Sequence, residues 1–222
     1  MLTKLIKAIR NFFNPKVKQQ IPQSEIDQIT IPELNQGSSI NVEAPNLQDL
    51  LLKKFKEDLN KLNTSNEAIE LIKEREGLYL DPYKCSAGVP TIGYGTTYYP
   101  DGSKVKMNDP SISEMQALYF LKHEIMEKEK EIETFFYKNN IQFNCNEFSA
   151  LVSFVYNLGA GPVVNKSKSM SKAILSRNKL RIADTFLIYN KARVGIFKRL
   201  KALRGLTIRR EKERALFLKP IN

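Results

Sequence analysis

The order of hydrophobic and polar residues predicts a regular helix in the stretch that starts at Thr64. Apolar side chains recur there at the spacing of one helical face. Thr64 followed by Glu67 has the pattern of a capping box, which indicates where this helix begins. Gly77 predicts its end directly after Glu76, because glycine adopts a left-handed conformation without a steric penalty.

Aromatic and β-branched residues follow over positions 78–107, where they are punctuated by glycine turns, and this pattern predicts a small antiparallel sheet. Helical spacing then returns in five segments, which are Ser113–Phe136, Asn146–Leu158, Ser169–Ser176, Leu180–Lys191 and Ile208–Phe217. One helix, a small sheet and then several helices predict an α+β fold.

The N-terminal residues have a different character. Residues 2–13 have the period of a short amphipathic helix with a basic polar face, residues 14–47 contain four prolines, and residues 47–62 return to helical spacing. We therefore expect an arm over residues 1–60 and a folded catalytic domain over residues 61–222. The basic helix is suited to docking on a protein surface or on an anionic membrane surface.

Composition narrows the class of protein only in part. The chain is 42% hydrophobic, enough for a packed core, and carries a net charge of +11, which draws a protein towards polyanions. Nucleic acid, anionic lipid and the bacterial envelope all fit this charge, but no nucleic-acid-binding signature accompanies it. We expect no secretory signal, no membrane span and no metal site, and two cysteines do not form a disulfide scaffold.

Glu76 is a candidate acid because of its place at the end of the first predicted helix. The C-terminal end of a helix carries partial negative charge, which disfavours a second negative charge there. Glycoside cleavage needs a carboxylic acid that protonates the leaving oxygen. Position alone does not distinguish Glu76 from Glu70 or Glu74 on the same helix.

Spacing singles out Glu76. Eight residues separate it from Cys85, and five more separate Cys85 from Thr91 in the segment TIGYG. This pattern resembles the family 24 glycoside hydrolases, the phage-type lysozymes. Three further blocks resemble the same family in the same order, namely LIKEREGLYLDPY, FSALVSFVYNLGAG and GLTIRREKERALFL. The resemblance covers residues 64–218.

The resemblance implies a lysozyme-like fold with a small antiparallel sheet lobe and a larger helical lobe. It implies hydrolysis of peptidoglycan at the β-1,4 bond between N-acetylmuramic acid and N-acetylglucosamine, without a metal or cofactor. By position, Glu76 matches the general acid of the family, and Thr91 matches the threonine that helps to hold the attacking water. The expected setting is phage-encoded lysis, from the host cytoplasm to the host cell envelope.

Cys85 occupies the position where the family has Asp or Cys. A thiol is mostly neutral at pH 7 unless its surroundings stabilise the thiolate. The roles open to Cys85 are thiolate base, nucleophile or weak positioner of water, and the alternative is a small buried side chain without a catalytic role. A disulfide with Cys145 would block the thiol, but we expect the two cysteines to lie in different lobes.

Three further residues are candidates for substrate binding. Tyr83 and Tyr94 are placed to stack on sugars or to hydrogen-bond with them, and Asn157 is placed either to contact sugar amide groups or to cap its helix. Arg209 or Arg210 is expected to pair with Glu76 or with Glu213.

Other functions remain open at this point. The N-terminal arm would suit a wall-piercing lysozyme that docks on a virion or tail protein, and it would also suit an anionic membrane surface. The +11 charge alone would fit a nucleic-acid-binding protein. Cys85 in place of a carboxylate would fit a non-catalytic glycan-binding module.

Overall fold

The computed structural model describes residues 63–85, 87–194 and 199–221. The arm predicted for residues 1–60 lies outside them. The elements, numbered in chain order, are α1 (Asn66–Glu76), β1 (Tyr79–Lys84), β2 (Pro90–Gly93), α2 (Glu114–Lys138), α3 (Cys145–Leu158), α4 (Gly161–Val164), α5 (Ser169–Leu175), α6 (Lys179–Leu187), β3 (Lys191–Val194), β4 (Arg199–Ala202) and α7 (Arg204–Leu218). The α+β prediction is confirmed.

The described residues divide into two compact units. The sheet unit contains β1, β2 and the connection to α2, up to residue 120. The helical unit contains residues 63–78 and the chain from residue 121 onward, so the long helix α2 begins in one unit and continues in the other.

In the sheet unit, β1 and β2 pair antiparallel as the glycine and aromatic pattern predicted. Tyr83 lies opposite Thr91, and the register shifts between Tyr79 and Tyr83. Gly93 ends β2 with φ +64, and a Cβ atom there would lie 3.4 Å from the Cβ of Ala117. Position 93 therefore favours glycine for two reasons, the left-handed backbone conformation and the small space beside Ala117.

The centre of the helical unit is α3, which is buried on all sides over residues 148–155. A helix with this many buried positions is surrounded by other elements, and α1, α4 and α7 pack against it. Asn144 and Glu147 close a capping box at its N-terminus, which explains why the helix starts at Cys145, one residue before the predicted start.

The capping box predicted from Thr64 and Glu67 at the start of α1 is wrong. Ser65 is the N-cap, and its side chain accepts a hydrogen bond from the backbone N–H of Ala68. Thr64 instead donates from its backbone N–H and from its hydroxyl to the buried carboxylate of Glu129, at 2.8 and 2.6 Å. Gly77 does end the helix with φ +73, and its N–H donates to the Lys73 carbonyl.

The C-terminal region differs most from prediction. The helix predicted to Lys191 ends at Leu187, and Lys191 begins a second antiparallel pair, β3 with β4. The last helix begins at Arg204, four residues before the predicted Ile208. Within the described ranges, no helix combines the length and the apolar character needed to cross a membrane.

Candidate active site

Glu76 is the last residue of α1, and its side chain is 25% exposed. Its Oε1 accepts a hydrogen bond from Nη1 of Arg209 at 2.7 Å. Among the described residues, no hydrogen bond to Oε2 is found. One oxygen is therefore fixed by a cation, and the other is left to carry a proton or to meet a substrate.

Arg209 is the hub that fixes this carboxyl group. The side chain is 3% exposed, and each of its three nitrogens has a partner. Nη1 binds Glu76, Nε donates to Glu213 Oε1 at 3.2 Å, and Nη2 donates to the Ser153 carbonyl at 3.1 Å. Because a guanidinium group presents its donors in a rigid fork, these contacts hold Glu76 in one orientation.

Glu213 balances the charge of two arginines at the centre of the network. It is fully buried, and its Oε1 also accepts from Ser153 Oγ at 2.9 Å and from Arg210 Nη2 at 3.0 Å. Burial raises the pKa of Glu213, while Arg210 and Arg209 act in the opposite direction. Burial disfavours the charged form of Arg210 too and lowers its pKa to about 10, which leaves this side chain charged at neutral pH.

Asn157 belongs to the same network, near the C-terminal end of α3. Its Oδ1 accepts a hydrogen bond from Arg210 Nη2 at 3.1 Å. The helix is instead closed by the N–H of Gly159, which donates to the Val155 carbonyl at 2.7 Å. The amide group of Asn157 is thus oriented by Arg210 through its oxygen.

Cys85 follows β1 in the sheet unit as a partly exposed free thiol. The backbone N–H groups of Ala87 and Val89 donate to its sulfur and lower its pKa, and the hydroxyl of Thr91 adds to the effect. Hydrogen bonds of this kind stabilise the negative thiolate, which is the reactive form of cysteine. The lowered pKa of Cys85 therefore raises the fraction of thiolate at a given pH.

Thr91 lies in β2 and is 2% exposed. Its hydroxyl donates to the Val89 carbonyl at 2.9 Å. A hydroxyl donates only one proton at a time, so its oxygen can accept from a water in this arrangement, or it can rotate and donate to the Cys85 sulfur. Either state suits a residue that holds a small polar group beside Cys85.

The predicted sugar-binding tyrosines have different surroundings. The ring of Tyr83 lies 4.3 Å from that of Tyr79, measured between centroids, and Tyr79 is 49% exposed. Tyr94 is 9% exposed, so its ring belongs to the core of the sheet unit. Sequence reasoning missed Tyr79, although the segment YLDPY contains both members of the pair.

The predicted residues thus fall into two groups. Glu76 and Asn157 are joined through Arg209, Arg210 and Glu213 in the helical unit, whereas Cys85, Thr91 and Tyr83 lie together in the sheet unit. Ser153 was missed, because a serine in an apolar helix carries no sequence signal of its own. Over the described residues, no cluster of three or more His, Cys, Asp or Glu side chains is arranged to hold a metal ion.

Comparison with known proteins decides the family. The profile of the phage lysozyme family matches residues 73–213, which is more than half of the chain. This range contains every residue of the candidate site described above. The chain belongs to the phage lysozyme family. The resemblance recognised from Glu76, Cys85 and Thr91 is therefore confirmed, and the chain is a lysozyme-type hydrolase.

Individual relatives agree with this assignment. The chain is 32% identical over 157 residues to the endolysin of Bacillus phage B103, which covers 71% of this chain and 54% of that protein. It is 30% identical over 157 residues to the endolysin of Salmonella phage P22, which covers 71% of this chain and 99% of that protein.

A solved structure supports the lysozyme-like fold. The endolysin from Escherichia coli O157:H7 phage FAHEc1 superposes with a TM-score of 0.61 at 32% identity, covering 71% of this chain and 94% of that chain. The chain spans about half the length of the Bacillus phage relative but nearly all of the other two proteins.

Proposed function

We propose that this lysozyme is a muramidase that cleaves the β-1,4 bond between N-acetylmuramic acid and N-acetylglucosamine in peptidoglycan, with Glu76 as the general acid. The observation that carries the proposal is the asymmetric environment of the Glu76 carboxyl group, with Arg209 on Oε1 and no described hydrogen bond to Oε2. Because Oε1 is occupied by Arg209, Oε2 is the oxygen through which Glu76 would donate a proton to the leaving oxygen.

Arg209 serves this step as a positioning residue. A general acid must lie within hydrogen-bond reach of the oxygen that it protonates. The Ser153 carbonyl and Glu213 hold the guanidinium group, which in turn orients Glu76. Glu213 also shares the charge of Arg209, so the cation is not reserved for Glu76 alone.

Cys85 and Thr91 supply the water step in this proposal. As the leaving oxygen takes the proton of Glu76, the water oxygen bonds to the anomeric carbon and the Cys85 thiolate takes a proton from that water. The reaction ends with a thiol and a carboxylate, and proton exchange with solvent restores both. The lowered pKa of Cys85 and the accepting lone pair of Thr91 support these roles.

Substrate contacts are proposed for three groups. The exposed face of the Tyr79–Tyr83 pair suits stacking on a sugar ring, and the NH₂ group of Asn157 suits an N-acetyl carbonyl. The burial of Tyr94 does not favour stacking of its ring on a sugar.

The names of the relatives support phage-encoded lysis of the host cell wall as the setting. We place the catalytic domain at residues 61–222, since the matched region covers 99% of the P22 endolysin and leaves the arm of residues 1–60 as an addition. That arm supports the second candidate function, a wall-piercing lysozyme docked on a virion or tail protein. Detection of the chain in purified virions by proteomics would favour the second candidate, and its absence would favour a free lysis enzyme.

The bond that is cleaved can be read from the products. Purified peptidoglycan is digested in the presence of a reductant, and the new ends are reduced with borohydride and identified by mass spectrometry. A muramidase yields reduced N-acetylmuramic acid at the new ends. Reduced N-acetylglucosamine, or no new reducing ends, would contradict the proposal.

A further inference from the structure

The antiparallel pair of β3 and β4 carries four exposed cations, Lys191, Arg193, Arg199 and Lys201, which we call the basic ribbon. All four residues of β4 are exposed. The sequence from Lys191 to Arg204 contains six Lys or Arg residues and no Asp or Glu. The positive charge of the ribbon therefore has no acidic neighbour in its own segment.

The rest of the described chain does not neutralise it either. None of the four cations forms an ion pair with an acid among the described residues. The following helix behaves differently, since Lys212 pairs with Glu74 at 2.6 Å and Arg214 with Asp184 at 2.8 Å. Cations that are left without acids on an exposed strand pair form a surface that attracts anions.

Apolar side chains are exposed among these cations. Arg193 lies directly opposite Leu200, and Lys191 opposite Ala202, so these four side chains share one face of the ribbon. Leu200 is 67% exposed, and Ile188, three residues before β3, is 58% exposed. A purely hydrophilic polyanion would leave both apolar side chains in water.

The N-terminus of α7 adds a second feature that favours anions. Its N-cap is Leu203, which provides no side-chain hydrogen bond, and its first turn contains no acid but the exposed Arg204. The first N–H groups of a helix have no partner within the helix, and the helix dipole makes this end positive. Such an end is suited to a phosphate group.

The ribbon and this helix end are joined by short contacts. The N–H of Leu203 donates to the Asn190 carbonyl at 3.0 Å, and the Asn190 side chain donates to Thr207 of α7 at 3.2 Å. These contacts fix the base of the ribbon against the start of α7. The ribbon and the N-terminus of α7 therefore adjoin at their base, with Lys191, Arg193 and Leu200 on one face of the ribbon and Arg199 and Lys201 on the other.

We propose that the basic ribbon and the N-terminus of α7 form a binding surface for anionic phospholipid headgroups. Lys and Arg are attracted to the negative surface potential of such a membrane, the N-terminus of α7 receives a phosphate, and Leu200 enters the apolar boundary below the headgroups. Nucleic acid accounts for the charge but leaves Leu200 and Ile188 unexplained. This surface lies outside the Glu76 network, so the inference does not depend on the proposed catalytic roles.

The test measures binding of the full chain to vesicles by cosedimentation. Vesicles of phosphatidylcholine with phosphatidylglycerol are compared with vesicles of phosphatidylcholine alone. A variant with Lys191→Ser, Arg193→Ser, Arg199→Ser and Lys201→Ser is expected to lose at least about tenfold in affinity for the anionic vesicles. The matched control removes four exposed cations elsewhere, namely Lys106→Ser, Lys138→Ser, Lys166→Ser and Lys172→Ser, and is expected to bind nearly as the unaltered chain.

Leu200→Ser separates a lipid surface from a general polyanion. The substitution is expected to weaken binding to anionic vesicles and to leave the binding of duplex DNA of random sequence unchanged. Circular dichroism verifies that each variant folds. If the fourfold variant does not fold, the milder pair Lys191→Ser and Lys201→Ser replaces it.

Three results would overturn the inference. The first is equal loss of vesicle binding in the ribbon variant and in the control, which would assign the effect to net charge. The second is unchanged vesicle binding in the ribbon variant, which would assign binding to another segment. The third is an equal effect of Leu200→Ser on vesicles and on DNA.

Discussion

At the scale of single residues, two reactive groups are held by different means. The Glu76 carboxyl group is oriented by a buried guanidinium group, whereas the Cys85 thiol is surrounded by backbone N–H groups. The guanidinium group fixes the orientation of the Glu76 carboxyl group, and the N–H groups stabilise the negative charge of the Cys85 thiolate. The proposed mechanism uses Glu76 as the acid and Cys85 as the base.

The stabilised thiolate gives a direct prediction. In the Cys145→Ser chain, alkylation of Cys85 by iodoacetamide should reach its maximum rate at a lower pH than alkylation of the same chain unfolded in urea. The reason is that the lowered pKa populates the thiolate at lower pH. Mass spectrometry across a pH series measures the rate, and coincident profiles for the folded and the unfolded chain would contradict the prediction.

The residue scale also shows what the sequence can reveal. The spacing of Glu76 to Cys85 and Thr91 is a property of the chain alone, and it predicts Glu76 as the acid. The choice of Arg209 rather than Arg210 as its partner depends on how α7 packs against α1 and α3, so the sequence left both arginines open. The burial of Tyr94 depends on the packing of the sheet unit in the same way.

At the scale of elements, α7 carries three charged side chains that are buried in the core of the helical unit. Arg209, Arg210 and Glu213 are each 3% exposed or less. Their spacing along the chain shows that they can meet on one helix face, but it does not show that the face is buried. These three side chains are buried because α7 packs against the apolar helix α3, which also supplies Ser153.

Removal of the negative charge of Glu213, which lies between the two arginines, should therefore destabilise the protein strongly. Glu213→Gln leaves two buried guanidinium groups without a full counter-charge, and we expect a loss of about 3 kcal/mol in the free energy of unfolding. Urea denaturation measures this loss. The control is Asp184→Asn, which breaks the exposed pair with Arg214 and should lower it by less than about 1 kcal/mol. Equal effects of the two substitutions would show that the buried network does not stabilise the fold.

The basic ribbon is the element that sequence reasoning missed. Residues 180–191 have helical spacing throughout, so the pattern gave no sign that α6 ends at Leu187. The two strands are short and carry cations on both faces, which hides the alternation that normally identifies a strand. Small exposed strand pairs are for this reason harder to predict than α3, which is apolar at six of the eight positions from 148 to 155.

At the scale of the whole molecule, the catalytic domain should be independent of the N-terminal arm. The matched region accounts for 99% of the P22 endolysin, which therefore has little room for an equivalent of residues 1–60. We expect a chain of residues 61–222 to hydrolyse purified peptidoglycan at the rate of the full chain, within the error of the assay. Dye release from labelled peptidoglycan measures this rate, and loss of activity in a chain that still folds would show that the arm contributes to catalysis.

The most direct test of the account compares two neighbouring glutamates on α1. Glu76→Gln removes the proposed acid, and Glu74→Gln removes an exposed carboxylate that pairs with Lys212. Release of reducing ends from purified peptidoglycan is measured for both variants, with circular dichroism as the test of folding. We expect Glu76→Gln to lower kcat/KM by about 10²–10⁴-fold and Glu74→Gln to leave it nearly unchanged. Full activity in a folded Glu76→Gln variant would contradict the central claim.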